Sequence, residues 1–176
     1  MSEITIRDAL RQSHVKRWGM VQTSRTQTLA EHSYNVAMIA AEWCYRECYP
    51  RGATNAIVYY ALTHDMAEVY TGDLATPVKH ESGIVGYLEK LDQRLTFAGG
   101  NIFPDDFAET GYRATFVLKL ADLVDAAAFI MEYGQGEHAL SVEKRLVDAI
   151  MLHAGVKGMA LLLEVTSGKF NVLTDI

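Results

Sequence analysis

Apolar residues along this chain recur mostly at spacings of three and four, and no segment alternates convincingly between apolar and polar positions. This pattern predicts helices throughout. The segment 27–48 carries one apolar stripe, which predicts a helix with one buried face. Within the segment 55–70, residues 56–62 are apolar on nearly every side. We therefore expect the 55–70 helix to run through the middle of the fold.

A second long apolar helix is predicted over residues 112–133, where Gly134 and Gly136 stop it. Ser141 is a candidate cap for the last long helix. Shorter helices are predicted at three places: 4–12, 84–97 and after Pro104. With 176 residues, the chain can bury one substantial core and is short for two. We therefore expect an all-α, single-domain helical bundle spanning residues 1–176.

Composition narrows the range of partners. Sixteen basic and 22 acidic residues give a formal charge of −6, which disfavours a general affinity for nucleic acid. No run approaches the roughly 18 consecutive apolar residues of a membrane helix. Charged residues occupy the N-terminus where a secretory signal would be apolar. We expect a cytoplasmic protein that binds neither membranes nor nucleic acid.

Polar residues interrupt three of the apolar helices. His32 lies in "AEHSYNVA", the pair His64–Asp65 lies in "LTHDMAEVY", and Asp122 lies in "LKLADLVDAA". Two imidazoles and two carboxylates suit a divalent metal ion with coordination positions left for water or substrate. The alternative for each histidine is a core residue bonded to a carbonyl, and for each aspartate a capping or solvated residue. Spacing alone leaves both interpretations open.

Four segments together resemble a known family: "HVKRWGM", "AEHSYNVAMIA", "THDMAEVYTGDLATPVK" and "LKLADLVDA". They are similar to HD-domain metal-dependent phosphohydrolases, in the branch that contains YfbR-like bacterial 5'-deoxynucleotidases and phage dATP triphosphohydrolases. The resemblance spans roughly residues 14–130 and implies an HD-type bundle. The metal ligands that it implies are His32, His64, Asp65 and Asp122.

The resemblance also implies roles for residues around the metal. Glu68, four residues after His64, matches the catalytic acid/base, and Asp73 matches a second acidic residue beside the reacting phosphate. Trp18 matches a tryptophan that crowds the sugar 2' position and so favours deoxynucleotides. The implied phosphate contacts are Arg17, Lys79 and Lys119, and the implied base-pocket residues are Met20 and Pro77.

The implied activity is hydrolysis of 2'-deoxynucleotides by attack of a metal-activated water on the α-phosphate. The compact length and the set Trp18, Met20 and Pro77 favour a dATP-preferring triphosphohydrolase that releases triphosphate. The alternative is a 5'-deoxynucleotidase that releases phosphate from monophosphates. A signalling phosphodiesterase and a scaffold without activity are weaker alternatives, because no regulatory segment is evident and the ligand candidates and Glu68 are all present.

The resemblance has consequences for cofactors and partners as well. One divalent transition metal ion, Zn²⁺, Co²⁺ or Mn²⁺, fits the ligand set. A second ion such as Mg²⁺ is compatible with the substrate phosphates. Related proteins self-associate, so we expect a homo-oligomer. If the protein is phage-encoded, its place is the host cytoplasm.

Overall fold

The computed structural model describes residues 5–73 and 114–167. In these two ranges all regular elements are helical, and two isolated β-bridges are the only extended pairing. The elements are α1 (Ile6–Ala9), a 3₁₀ helix (Leu10–His14), α2 (Leu29–Arg46), α3 (Arg51–Ala61), α4 (Glu68–Thr71), α5 (Ala114–Tyr133) and α6 (Gly136–Ser167). The predicted all-α class is confirmed. The helices predicted at 84–97 and after Pro104 lie outside the described residues.

Helix α5 lies at the centre of the described part. It packs against α2 and α6, and α2 packs against α3. The core between these helices includes Val36, Trp43, Val124 and Leu161, and burying each such side chain contributes about 1.5–3 kcal/mol. The sequence pattern predicts a central position for the 55–70 segment. The structure places α5 there instead, because α5 is apolar around its whole circumference and α3 buries mainly small side chains.

Residues 55–70 do not form one helix. Helix α3 ends at Ala61, residues 62–67 are turns, and α4 begins at Glu68. The Thr63 hydroxyl donates to the carbonyl of Tyr59 at 3.1 Å, and Nδ1 of His64 lies 2.7 Å from the carbonyl of Ala61. These side chains take carbonyls that a continuing helix would use, which is how Thr and similar residues compete with helical hydrogen bonds. His64 and Asp65 therefore lie on a turn, and the prediction that they sit on a helix was wrong.

The segment before α2 folds back along the start of that helix. The N–H of Arg17 donates to the carbonyl of Gln27 at 2.9 Å, and the N–H of Leu29 donates to the carbonyl of Val15 at 2.9 Å. The Thr28 hydroxyl then caps α2 by accepting a hydrogen bond from the N–H of Glu31. This antiparallel pairing brings Arg17 beside the first turns of α2.

Helix α6 begins at Gly136, so Ser141 lies inside it and the predicted cap at Ser141 was wrong. Gly155 interrupts the helix with φ 57° and ψ −144°, a backbone conformation that favours glycine. Gly158 lies where α6 approaches α5, since a Cβ there would be 3.3 Å from Cδ1 of Leu120. The absence of side chains at these two positions allows α6 to bend and pack closely on α5.

By length and composition, α6 is the one helix among residues 5–73 and 114–167 that could cross a membrane. Its most apolar window has a mean hydropathy of 1.6 and is 22% buried. Core helices of other proteins meet the same criterion. Lys157 and Glu164 interrupt the apolar sequence and form ion pairs with Glu47 and Arg46, which attach the second half of α6 to the end of α2.

Candidate active site

The predicted polar residues of α2, α5 and the turn after α3 lie together. Nε2 of His32 is 3.7 Å from Oδ2 of Asp65 and 3.5 Å from Oδ1 of Asp122. Nε2 of His64 is 3.4 Å from the same Asp65 oxygen. The ligand atoms of His32, His64 and Asp65 all lie within 4.8 Å of one another. The structure thus brings His32, His64 and Asp65 to one point, and places Asp122 next to His32.

The hydrogen bonds of the two imidazoles determine which nitrogen carries the proton. Nδ1 of His32 lies 2.6 Å from Oδ2 of Asp125, and Nδ1 of His64 lies 2.7 Å from the carbonyl of Ala61. Both partners are acceptors, so each Nδ1 carries a hydrogen. Burial lowers the pKa of His32, which favours its neutral form. In a neutral ring, Nε2 then presents a lone pair toward the centre of the cluster.

The cluster is therefore composed of acceptors. Nε2 of His32 and Nε2 of His64 are buried and have no hydrogen-bond partner within the described residues. When both imidazoles are neutral, their Nε2 lone pairs and the carboxylate of Asp65 repel one another unless a cation lies between them. Imidazole nitrogens and carboxylate oxygens are the donor atoms that zinc and similar ions bind. These residues fit a divalent transition metal ion.

Asp122 is held in its ionised form. Burial acts to raise the pKa of this carboxyl group, but His32 when it is protonated, and the charge of Lys119, lower that pKa below its ordinary value. Nζ of Lys119 lies 3.3 Å from Oδ2 of Asp122, one turn away on the exposed side of α5. An ionised carboxylate at this position can bind a metal ion or an adjacent water.

The two predicted catalytic carboxylates have different surroundings. Glu68 is buried, and its backbone N–H donates to the carbonyl of Asp65 at 2.9 Å, so it lies next to a candidate metal ligand. Asp73 follows Gly72, and its Oδ2 accepts a hydrogen bond from the N–H of Trp18 at 3.0 Å. Asp73 therefore connects the end of α4 to the segment that carries Arg17.

Arg17 lies mostly buried beside the cluster, with a side chain that is 12% exposed. Its Nη1 is 3.7 Å from Oδ2 of Asp125. Nε and Nη1 have no hydrogen-bond acceptor in the part of the chain that the structure describes. A buried guanidinium with unused donors is able to bind an anion such as a phosphate.

Trp18 is held in one orientation by three contacts. Its backbone has φ 68°, an uncommon value for a residue with a side chain. Its ring stacks in parallel on Phe129 with a centroid distance of 6.0 Å, and its Nε1 donates to Oε1 of Gln27 at 2.9 Å. The third contact is the bond from its backbone N–H to Asp73. A ring fixed in this way can exclude a bulky group from the space beside it.

Two of the remaining predicted substrate residues, Met20 and Lys119, lie on the surface. Met20 is 74% exposed and Lys119 is exposed apart from its ion pair. Pro77 and Lys79 lie outside the described residues. The structure therefore adds nothing to the predicted roles of Pro77 and Lys79.

Sequence reasoning missed three polar residues next to the cluster, namely the buried Gln27 and Asp125 and the half-buried Asn35. Asp125 contacts His32 directly. The available signal was a second aspartate, three residues after Asp122, in an otherwise apolar helix. Gln27 and Asn35 carried no comparable signal, because amides near a helix start are common in any protein.

Residues 8–135 match the protein family described as 5'-deoxynucleotidase YfbR-like. A dATP triphosphohydrolase of Salmonella phage PMBT28 is 36% identical over 148 residues, covering 79% of this chain and 72% of the phage protein. A dATP triphosphohydrolase of Cyanophage S-2L is 30% identical and covers 82% and 84% of the two chains. A 5'-deoxynucleotidase of Shewanella oneidensis is 32% identical and covers 61% and 57%.

Among solved structures, the chain is similar to the Cyanophage S-2L HD phosphohydrolase DatZ, which was solved bound to dA and one catalytic Zn²⁺ ion. The TM-score is 0.76 with 24% sequence identity, and the match covers 95% of this chain and 99% of DatZ. At this level of identity the likeness establishes a shared fold.

Proposed function

Because the chain belongs to the family of YfbR-like 5'-deoxynucleotidases, we propose that it is a metal-dependent hydrolase of 2'-deoxynucleotides. Its preferred activity in this proposal is hydrolysis of dATP to deoxyadenosine and triphosphate. One observation carries the proposal: two imidazole nitrogens and the carboxylate of Asp65 converge, with Asp122 next to His32, beside a buried guanidinium that has unused donors. The two phage relatives named as dATP triphosphohydrolases support this substrate.

In this proposal His32, His64, Asp65 and Asp122 hold one divalent ion, with Zn²⁺, Co²⁺ or Mn²⁺ as candidates. The zinc ion of DatZ supports the proposal. When bound, such an ion lowers the pKa of a water and polarises a phosphoryl oxygen. A second ion such as Mg²⁺ would arrive with the substrate phosphates.

The protein's own groups would then position and protonate the reactants. Glu68, next to Asp65, orients the attacking water or protonates the leaving 5'-oxygen, a role that contributes about 10²- to 10⁴-fold in rate. Asp73 acts beside the phosphate and holds the backbone of Trp18. Arg17 binds phosphate oxygens through its unused donors.

Other residues would bind the rest of the nucleotide. Lys119 and Lys79 contact the phosphates, and Trp18 occupies the space where a ribonucleotide carries its 2'-hydroxyl. Met20 and Pro77 line the base pocket. The fixed orientation of the Trp18 ring supports its assignment, since exclusion of a small group requires a ring that does not move aside.

The second candidate function is a 5'-deoxynucleotidase, which the family description and the Shewanella oneidensis relative favour. Both activities break the bond between the α-phosphorus and the 5'-oxygen, so the same metal and carboxylates serve either one. They differ in the groups attached beyond that phosphorus. The two phage relatives cover 79% and 82% of this chain, against 76% for the two 5'-deoxynucleotidases of Photorhabdus laumondii and Citrobacter koseri, and the structural neighbour DatZ is also a phage protein.

The test is to incubate the protein with dATP, dGTP, dAMP or ATP in the presence of Mn²⁺ or Co²⁺, in ¹⁸O-labelled water, and to identify the products. We expect triphosphate and deoxyadenosine from dATP, with the label in the triphosphate because water attacks phosphorus. Release of phosphate from dAMP alone would establish the nucleotidase instead. The proposal would be contradicted if none of the four nucleotides is hydrolysed and the metal-loaded protein behaves like the protein treated with a chelator.

We also propose that residues 1–176 act as one unit that self-associates in the cytoplasm, which is the host cytoplasm if the protein is phage-encoded. Support comes from exposed apolar side chains on α6, where Leu152 is 90% and Val156 is 80% exposed. A second copy would remove such side chains from water. Light scattering coupled to size exclusion should give a mass above 19.6 kDa, and a monomer at all concentrations would contradict self-association.

A further inference from the structure

Asp125 is a buried carboxylate at the centre of the most apolar helix. It lies on α5 one turn after Asp122, but it faces the opposite nitrogen of His32 from the one that Asp122 approaches. Its residue surface is 4% exposed. A buried charge of this kind costs several kcal/mol unless donors surround it.

Donors from three segments surround Asp125. Its Oδ2 lies 2.6 Å from Nδ1 of His32 and accepts from Nε2 of Gln27 at 2.9 Å, and its Oδ1 accepts from Nδ2 of Asn35 at 2.8 Å. Nη1 of Arg17 is 3.7 Å from Oδ2. Both oxygens therefore act as acceptors, and each of the surrounding groups faces them with a nitrogen that can donate.

The orientation of Gln27 is fixed independently of Asp125. Its Oε1 accepts a hydrogen bond from Nε1 of Trp18, which can only donate. Its amide nitrogen must therefore point to Asp125. Gln27, Asn35 and Arg17 all present hydrogens to Asp125, which favours its ionised carboxylate, and a carboxylate can only accept from Nδ1 of His32.

We propose that Asp125 is a positioning residue that holds His32 in the tautomer with hydrogen on Nδ1 and thereby sets the affinity of the site for its metal ion. Asp125 itself touches neither the proposed ion nor the substrate. Its carboxylate keeps the lone pair of His32 on Nε2, 3.5 Å from Asp122 and 3.7 Å from Asp65. An acceptor that binds the N–H on the other side of a metal-ligating imidazole orients the ring and raises the basicity of the ligating nitrogen. This inference rests on the proposed function, because it assumes that the site binds a metal.

The same carboxylate fixes two groups assigned to substrate binding. It faces the guanidinium of Arg17, and through Gln27 it is connected to the indole of Trp18. Loss of Asp125 should therefore release Arg17 and Trp18 as well as His32. The expected result is a rise in KM for the deoxynucleotide in addition to weaker metal binding.

The test uses the full chain and two substitutions, Asp125→Asn and Asp125→Ala. The first keeps the shape of the side chain but has a single acceptor oxygen, and the second removes both acceptors. The matched control is Ser33→Ala. It removes the buried hydrogen bond from the Ser33 hydroxyl on α2 to Oε1 of Gln12, a bond in which neither His32 nor Asp125 takes part. Circular dichroism establishes that each variant is folded.

Two measurements decide the outcome. In metal-free protein, ¹⁵N NMR of the imidazole nitrogens reports which nitrogen of His32 carries hydrogen. Competition with a chelator gives the Kd for Co²⁺ or Zn²⁺. We expect Asp125→Ala to weaken metal binding by about 10- to 100-fold, the range for groups behind a ligating histidine, and Asp125→Asn by less. Asp125→Ala should lose the exclusive Nδ1–H tautomer. Asp125→Asn should keep that tautomer, because its oxygen can replace Oδ2 between Gln27 and His32, and should lose only part of the metal affinity. Ser33→Ala should keep both the tautomer and the Kd.

The inference is overturned if folded Asp125→Ala keeps the tautomer and both Asp125 variants keep the Kd of the unaltered protein. It is also overturned if Ser33→Ala weakens metal binding as much as they do, because general destabilisation would then explain the effect. If Asp125→Ala does not fold, the Kd of Asp125→Asn decides alone. Failure of the unaltered protein to bind either ion would refute the proposed metal site itself, a result that the wild-type titration separates from the role of Asp125.

Discussion

The two histidines of the site are oriented in different ways on its two sides. On the α2–α5 side, a buried carboxylate 93 residues away in sequence holds His32, and two amides and a guanidinium surround that carboxylate. On the side of the turn after α3, the carbonyl of Ala61, three residues away, holds His64. One ring depends on tertiary packing and the other on local backbone. Substitutions on the two sides should therefore differ in what they disturb.

Asp65 joins the two sides, because its Oδ2 lies 3.7 Å from His32 and 3.4 Å from His64. We expect Asp65→Ala to have the largest effect, abolishing both turnover and metal retention by removing the one carboxylate that both imidazoles share. Elemental analysis and dATP hydrolysis measure these two properties. Asp148→Ala is the matched control, since this exposed aspartate on α6 pairs only with Lys144 in the described contacts. Full activity of Asp65→Ala would contradict the metal mechanism.

Glu68 tests the turn side without removing a ligand. We expect Glu68→Ala to keep its metal while the rate falls by about 10²- to 10⁴-fold, the usual contribution of a general acid or base. The rate of Glu68→Gln should fall as far, because this variant keeps the shape of the side chain but cannot accept or donate the proton. Metal content and kcat are the measurements. An unchanged rate in both variants would assign Glu68 to structure alone.

Trp18 tests the α2–α5 side, because its indole is hydrogen-bonded to Gln27 and stacked on Phe129. We expect Trp18→Ala to raise kcat/KM for ATP relative to dATP by roughly 10- to 100-fold, the scale on which a pocket rejects one small added group. Trp43→Phe, a substitution in the core of α2, should leave this ratio unchanged. If the ratio stays constant in Trp18→Ala, Trp18 contributes packing and not sugar selection.

The smallest expected effect is a difference in thiol reactivity between the two cysteines. This difference reports how tightly α2 is packed. Cys44 is fully buried and burial raises its pKa to about 11, whereas Cys48 is exposed. Because the thiolate is the reactive form, Cys44 should react with a thiol reagent only after unfolding at neutral pH. Mass spectrometry should show one fast label, which Cys48→Ser removes. Equal labelling of both residues in the folded protein would show that α2 opens readily.

Sequence reasoning predicted the helical class and singled out His32, His64 and Asp65, which the structure brings together, although it placed His64 and Asp65 on a helix that ends before them. The error arose because Thr63 and His64 are compatible with a helix by pattern, and only their hydrogen bonds to carbonyls reveal the turn. His64 and Asp65 still lie close to His32, because a short turn after α3 keeps these two residues in the same region as a continued helix would. The roles of these residues remain predictions.

Asp125 could not be assigned from sequence, because its importance lies in which groups face it. Periodicity and residue type are local properties, so the sequence by itself determined that the described chain is helical and which side chains carry metal-binding chemistry. Only the tertiary structure decided that one aspartate of α5 approaches Nε2 of His32 while the next lies behind its Nδ1. The reason is physical: the proton of an imidazole is placed by contacts between helices, and those contacts exist only once the helices have packed.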